Sequence, residues 1–243
     1  MAHKITLLPI RILRRALRPI SERLSRLGFL WLRRHREHLS RQWLFDTVAG
    51  FVDDCHISGE YLEFGCSSGS SLVDMSKAIK RYPRLANMRS FIFDSFEGLP
   101  RPTGIDAGES QRYETGEYAC DLDQFKCNVK RGGVDLHNIH CIAGWYDKTL
   151  SPALRQELDI QKASIILIDC DLYESTVPVL NFITDYVQTG TVLIFDDWYS
   201  YKGRLDRGEA KAFAEWLKLN PRIQANEYHK CGRTMMSFIL QID

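Results

Sequence analysis

Acidic residues follow two apolar runs of the sequence, in a pattern typical of a site for a hard metal ion. Asp169 and Asp171 follow the run IILI, and Asp196 and Asp197 follow the run VLIF. If both runs are neighbouring parallel strands, their carboxyl ends meet at one edge of the sheet and the four carboxylates converge there. Four carboxylates this close repel one another unless a cation binds between them. Oxygen ligands without clustered His or Cys favour Mg²⁺, with Mn²⁺ or Ca²⁺ as substitutes.

A glycine-rich turn lies earlier in the chain. Residues 61–71 read YLEFGCSSGSS, which predicts a strand, a turn with two glycines and the start of a helix. The spacing departs from the GxGxxG of dinucleotide sites, and no Gly-Lys-Ser/Thr of a phosphate loop follows it. An acid beside the turn suits the sulfonium and ammonium charges of S-adenosylmethionine. A purely structural turn is the alternative. The predicted cofactor residues here are Glu63, Gly65, Gly69 and Ser71.

Asp94 ends the next apolar run, SFIF, and Ser95 follows it. A carboxylate at the end of the second strand can accept hydrogen bonds from both ribose hydroxyls of an adenosyl cofactor. By itself, an Asp in such a place is more often a helix cap or a turn residue. Because the glycine turn comes one strand earlier, the sequence favours a cofactor site at Asp94 and Ser95.

These motifs resemble the macrocin O-methyltransferase (TylF-type) family. The resemblance covers roughly residues 61–213, and its most specific part is the block DCDLYEST at 169–176. The other matching motifs are the glycine turn, DSFEGLP at 94–100, GWYDKTL at 144–150 and the Asp196-Asp197 pair. The resemblance implies a class I methyltransferase that uses S-adenosylmethionine and Mg²⁺ to methylate sugar hydroxyls of natural products.

The resemblance also assigns roles to particular residues. It implies that Asp171 is the general base, and that the metal ligands are Asp169, Asp196 and Asp197. It extends the predicted cofactor site to Gly144, Trp145 and Asp169.

Two departures from the family pattern leave the acceptor open. Cys170 stands where the family usually has Gly, and Ser67 and Ser68 replace bulkier residues in the turn. A hydroxyl of a glycan or a glycosylated small molecule is the first expectation for the acceptor, and a catechol-like diol is the second.

Two other classes of function are weighed against methyl transfer. Mg²⁺-dependent phosphoryl transfer also uses clustered aspartates, but it normally needs Lys or Arg near the phosphates, and the glycine turn carries none. A peripheral membrane or scaffold protein with a vestigial cofactor pocket is the non-catalytic alternative. An intact Asp171 beside the metal residues speaks against such decay.

Apolar, β-branched runs alternate with helical patterns from about residue 58, which predicts parallel strands joined by crossover helices. We expect a doubly wound, Rossmann-like α/β fold with a seven-stranded, mostly parallel sheet and an antiparallel C-terminal strand. The predicted strands are residues 60–64, 90–93, 139–143, 164–168, 191–195, 223–228 and 234–241, and the predicted helices are 70–81, 121–131, 175–186 and 208–219. The irregular segment 97–118 is expected to be an active-site lid.

Positive charge is concentrated at the start of the chain. Residues 1–44 hold eleven Lys or Arg and two acids, a charge of +9, so the rest carries −8 of the total of +1. Apolar residues recur there every three or four positions, which predicts a basic amphipathic arm ahead of a methyltransferase domain at 45–243. The arm could contact an anionic membrane, a homodimer partner or its own domain. No nucleic acid partner is expected, because the main domain is acidic.

Targeting signals and cysteine spacing indicate the cellular compartment of the protein. No apolar stretch is long enough for a membrane span, and the Arg-rich start lacks the apolar core of a secretory signal. Seven cysteines without a CxxC pair predict a reducing compartment. We therefore expect a cytoplasmic protein, with peripheral contact at the inner membrane face as an option for the arm.

Overall fold

A computed structural model describes residues 32, 35–107 and 113–243. The chain divides into two compact units, Met1–Ser40 and Arg41–Asp243. In the first unit, the described residues 35–40 are helical, and most of the predicted basic arm lies outside the described residues. Among the residues that are described, no helix is both long enough and apolar enough to span a bilayer.

One seven-stranded sheet forms the centre of the second unit. Its strands are β1 (Glu60–Phe64), β2 (Ser90–Asp94), β3 (Ile139–Ala143), β4 (Ala163–Ile168), β5 (Val192–Phe195), β6 (Ile223–Cys231) and β7 (Met235–Ile242). The order across the sheet is β3-β2-β1-β4-β5-β7-β6. Strands β1 to β5 pair in parallel, and β7 is antiparallel to both β5 and β6. The predicted fold is confirmed.

Helices cover both faces of the sheet, so the central strands are apolar on both sides. Strand β4, ASIILI, is buried along its whole length. The helices are α1 (41–54), α2 (Ser70–Ile79), α3 (Leu122–Arg131), α4 (Tyr146–Thr149), α5 (Pro152–Glu157), α6 (Tyr173–Ile183) and α7 (Gly208–Leu219). One core contains Phe182 and Trp216 from α6 and α7, and the other contains Phe45 from α1 and Phe125 from α3.

The observed elements follow the predicted ones closely. Strands β1 and β3 and helix α7 have the predicted bounds, and most other ends differ by one to three residues. Helix α6 begins at Tyr173 rather than residue 175, and the sequence interpretation did not include α1, α4 or α5.

The strand order reverses at β1, which lies between β2 and β4. In open α/β sheets, ligands bind beside such a switch point, at the carboxyl ends of the strands. The glycine turn follows β1, Asp94 ends β2, and the two acidic pairs follow β4 and β5. All of the predicted site motifs are therefore on the edge of the sheet where a ligand is expected.

Candidate active site

The two turn glycines are required by close packing. Gly65 has φ +85°, and a Cβ placed there would lie 1.9 Å from the carbonyl oxygen of Asp169. Gly69 has φ +86°, and its Cβ would lie 2.5 Å from Cγ2 of Val129 on α3. Both values are far inside van der Waals contact, and the positive φ angles favour glycine as well. The turn after β1 is thus pressed directly against the end of β4.

Glu63 is fully buried behind this turn. Its carboxylate accepts hydrogen bonds from the Tyr61 hydroxyl at 2.7 Å and from Ser71 Oγ at 2.5 Å. Burial raises the pKa of Glu63 to about 7, although the hydrogen bonds from Ser71 and Tyr61 oppose the rise. Glu63 and Ser71 therefore join β1 to the first turn of α2, at the back of the predicted cofactor turn.

Asp94 braces the same turn from the neighbouring strand. Its Oδ2 accepts from the backbone N–H groups of Cys66 at 2.7 Å and Ser67 at 3.2 Å, and its Oδ1 accepts from the N–H of Phe96 at 2.7 Å. The adjacent Ser95 donates through Oγ to the carbonyl of Gly98 at 3.0 Å. A carboxylate oxygen has two lone pairs, so these bonds leave Asp94 able to accept from a further hydroxyl.

The loop after β3 adjoins Asp94. The N–H of Gly144 donates to the carbonyl of Asp94 at 2.9 Å. Gly144 has φ +139°, and a Cβ there would lie 2.4 Å from Oγ1 of Thr149. Trp145 follows, partly buried, and its carbonyl accepts the first bonds of α4. The loops after β1, β2 and β3 therefore lie side by side, and each carries predicted cofactor residues.

Three aspartates converge at the ends of β4 and β5. Asp169, Asp171 and Asp197 each offer a carboxylate oxygen, and these oxygens lie within 4.8 Å of one another. No other group of three or more acidic, His or Cys ligands is this close among the described residues. Asp196 is outside the set, but after burial its charge contributes most to raising the pKa of Asp169. The structure therefore brings together three of the four predicted acids most tightly and places the fourth beside them.

The electrostatics of the three aspartates suit a divalent cation. Burial raises the pKa of Asp171 well above its ordinary value, and the charge of Asp197 and a hydrogen bond with it raise that pKa further. Asp171 itself has φ +59°, an uncommon backbone conformation for a residue other than glycine. Negative charges held this close repel one another, and a bound cation offsets that repulsion. The donor set, oxygen only, fits Mg²⁺.

Two side chains outside the acidic motifs contact Asp197. The hydroxyl of Tyr113, a buried residue of the predicted lid, donates to Asp197 Oδ1 at 3.0 Å. Ser200 Oγ donates to the same oxygen. Tyr113 therefore links the predicted lid segment to the acidic cluster.

Glu209 is a buried residue of this site that the motifs did not indicate. It lies in the first turn of α7, with Oε1 at 3.1 Å from the N–H of Cys170 and Oε2 at 3.0 Å from the N–H of Asp197. Burial raises the pKa of Glu209 well above its ordinary value, the charge of Asp197 adds to the rise, and the amide of Cys170 opposes it. An acid in the first turn of the helix that follows the second acidic strand is the signal that could have pointed to it.

Asp106 is a second buried acid missed by the motifs. It belongs to the lid segment, and its Oδ2 accepts from the N–H of Tyr173 at 2.6 Å, while its Oδ1 accepts from the N–H of Gly208 at 3.2 Å. These two donors are the first residues of α6 and α7. One carboxylate thus caps both helices that follow the acidic strands, and it anchors the lid to them.

Comparison with known proteins places the chain in a family. The model of the macrocin-O-methyltransferase (TylF) family matches residues 39–220. The chain belongs to that family. The predicted membership is confirmed, and the match includes every residue that the sequence proposed for the site.

Individual proteins that resemble the chain have low sequence identity to it. One relative is a protein from Streptomyces olivaceus, 8-demethyl-8-(2,3-dimethoxy-alpha-L-rhamnosyl)-tetracenomycin-C 4'-O-methyltransferase. It is 28% identical to this chain over 162 residues, which are 61% of this chain and 59% of that protein. The match therefore spans less than two thirds of that relative.

Two solved structures have the same fold. CalS11, a calicheamicin methyltransferase, has a TM-score of 0.68 and 23% identity, covering 90% of this chain and 85% of that one. An O-methyltransferase from Bacillus cereus in complex with SAH has a TM-score of 0.54 and 13% identity, covering 81% and 80%.

Proposed function

We propose that this protein is an S-adenosylmethionine- and Mg²⁺-dependent O-methyltransferase acting on a hydroxyl of a sugar or a glycosylated acceptor. The observation that carries the proposal is the direct contact between the glycine turn and the acidic cluster. Gly65 packs against the carbonyl of Asp169, whose carboxylate belongs to the set with Asp171 and Asp197. A methyl donor on the turn and a hydroxyl at the acids would then be neighbours, as group transfer requires.

S-adenosylmethionine would lie along the loops after β1, β2 and β3. The proposed contacts come from the turn, from Asp94 at the ribose and from the loop after β3. Family membership supports this cofactor, and the Bacillus cereus enzyme of the same fold is complexed with SAH. The proposed cofactor residues are Glu63, Gly65, Gly69, Ser71, Asp94, Ser95, Gly144, Trp145 and Asp169. Glu63 and Ser71 would act by fixing the turn, since they bond each other behind it.

The metal would be held by Asp169 and Asp197, with Asp196 as the third ligand. When bound, a divalent ion lowers the pKa of an acceptor hydroxyl that reaches it. Asp171, beside the ligands and buried, is the proposed general base. Asp171 would accept the proton of the acceptor hydroxyl, whose oxygen would take the methyl group from the sulfonium of the donor. The products are a methyl ether, SAH and a protonated Asp171.

A sugar hydroxyl is the first choice of acceptor, and a catechol-like diol is the second. The Streptomyces olivaceus relative is named for methylation of a rhamnosyl tetracenomycin at the 4' position. Tyr113 and the lid segment would cover such an acceptor and exclude water from it.

Methyl transfer is tested with radiolabelled S-adenosylmethionine, Mg²⁺ and a panel of rhamnosyl glycosides, nucleotide sugars and catechols. We expect Asp171→Asn to lower turnover by about 100-fold or more, because it removes the base, while SAH affinity in calorimetry changes less than about twofold. Asp196→Asn is expected to abolish the metal dependence. The matched control is Asp159→Asn, whose side chain is 82% exposed at the surface.

The outcomes separate the alternatives. Wild-type protein that binds no SAH in the presence of excess Mg²⁺ would rule out the methyltransferase proposal and favour a non-catalytic role. Binding of nucleoside triphosphates in place of SAH would favour phosphoryl transfer. Transfer to catechols and not to sugars would keep the reaction class and change the acceptor.

For the basic arm, we propose contact with an anionic membrane surface or with a second copy of the chain. The charge of +9 over residues 1–44 supports an anionic membrane as partner, and the charge of −8 on the remaining residues supports a second copy.

A further inference from the structure

Glu209 is a buried acid that the proposed mechanism does not use. Its side chain is 0% exposed, and neither of its oxygens belongs to the set of Asp169, Asp171 and Asp197. Both oxygens face backbone N–H donors, one from each of the two acidic strand ends. A carboxylate used in this way holds main chain in place.

The two N–H groups that bond Glu209 lie within or next to the clustered aspartates. Cys170 lies between Asp169 and Asp171, and the other donor is Asp197 itself. One side chain therefore fixes the backbone next to all three clustered carboxylates. The two donors follow different strands, β4 and β5, which diverge into different loops beyond this point. The spacing of the carboxylates across the two strands depends on what ties the strand ends together.

Glu209 is itself held firmly. It is the second residue of α7, whose first residue, Gly208, donates its N–H to the buried carboxylate of Asp106. The same helix packs into the core through Phe213 and Trp216. The carboxylate thus belongs to a helix that both the hydrophobic core and Asp106 hold in place.

We propose that Glu209 is a positioning residue for the metal site, which sets the separation of Asp197 from Asp169 and Asp171 by bonding both strand ends. The inference rests on the proposed function, since it assumes that these aspartates bind a divalent ion. Residues that orient metal ligands without touching the metal typically change metal affinity 10- to 100-fold when replaced.

The test measures Mn²⁺ binding by the full chain, with electron paramagnetic resonance of the free ion. Glu209→Gln keeps the size of the side chain but turns an NH₂ group toward one of the two N–H donors. Glu209→Asp keeps the negative charge and is too short to bond both. We expect both variants to bind Mn²⁺ about 10-fold or more weakly than wild type, with SAH affinity unchanged. Glu215→Gln, on the same helix and at the surface, is the control and should bind like wild type.

Each outcome decides a different point. Wild-type protein that binds no Mn²⁺ removes the proposed function itself. Wild-type binding with equal affinity in both Glu209 variants overturns only the inference, even if their melting temperatures fall, because a purely structural role lowers stability and leaves the affinity of the folded protein alone. Weak binding by Glu209→Gln together with normal binding by Glu209→Asp overturns it too, since charge alone would then explain the loss.

Amide hydrogen exchange of the wild type keeps the proposal testable if the variants do not fold. The N–H groups of Cys170 and Asp197 should exchange as slowly as those of the neighbouring strands. Exchange at the rate of an exposed loop would show that Glu209 does not hold these groups in solution.

Discussion

At the scale of single residues, Gly65 has the least room for a side chain among the described glycines. Replacement by Ala places a Cβ 1.9 Å from the Asp169 carbonyl at φ +85°, so we expect a loss in the free energy of unfolding of roughly 3 kcal/mol or more. Gly133 has φ +84° with nothing within 4 Å, and its replacement should cost about 1–2 kcal/mol of conformational strain alone. Urea denaturation of both variants measures the difference. Equal losses would contradict the close packing.

Glu63 gives the protein a defined pH dependence. Its pKa rises from 4.5 to about 7 on folding, so the folded protein holds this proton more tightly than the unfolded chain. The stabilisation is complete below pH 4.5 and is lost as the pH rises through about 7. Between pH 5 and pH 8 the wild type should lose on the order of 2–3 kcal/mol relative to Glu63→Gln, which cannot titrate. Denaturation of both proteins at the two pH values checks this, and a constant difference would refute it.

The residues of the site could be predicted from the sequence, but the side chains that each of them contacts could not. Residues two apart after a strand point the same way, which favours joint use of Asp169 and Asp171. Adjacent residues diverge, and of the second pair Asp197 joins the tight set while Asp196 lies beside it. Glu209 comes 12 residues after Asp197, on a helix, and only the packing of α7 brings it back to the cluster.

At the scale of elements, Asp106 connects the predicted lid segment to α6 and α7. Asp106→Asn leaves one acceptor oxygen for two N–H groups and should lower the free energy of unfolding by about 1–3 kcal/mol. Asp121→Asn is the matched control, because Asp121 caps α3 through one bond, to the N–H of Gln124, and Asn caps equally well. Thermal or urea unfolding distinguishes the two variants. A loss at position 106 no larger than that at 121 would contradict the double cap.

Elements were predicted well where burial dictates the pattern. Strand β4 is buried along its whole length, so a continuous apolar run is enough to predict it. The 12 residues of α7 have a regular helical period. Helices α4 and α5 have four and six residues, too few to establish such a period. The start of α6 depends on Asp106, a cap supplied from 67 residues away, which no local pattern contains.

At the scale of the whole molecule, the uneven charge predicts a surface interaction. The full chain should sediment with vesicles that contain anionic lipid and not with neutral vesicles, because the basic arm attracts negative charge. A chain that begins at Arg41 should remain in the supernatant, and 0.5 M salt should release the full chain from the vesicles. Equal sedimentation of the two chains would remove the membrane hypothesis and leave a second copy of the chain as the proposed partner.

The bonds of Asp106 to α6 and α7 have a consequence for any attempt to change the acceptor that we propose. Transplanting the segment 97–118 from a relative would be the natural way to alter acceptor preference, since loops are the variable part of such scaffolds. Here a graft that omits this one aspartate would also uncap two long helices and disturb the turn ahead of Glu209. A swap that keeps Asp106 and Tyr113 leaves the bonds of both residues in place, so these two positions should stay unchanged when the acceptor preference is varied.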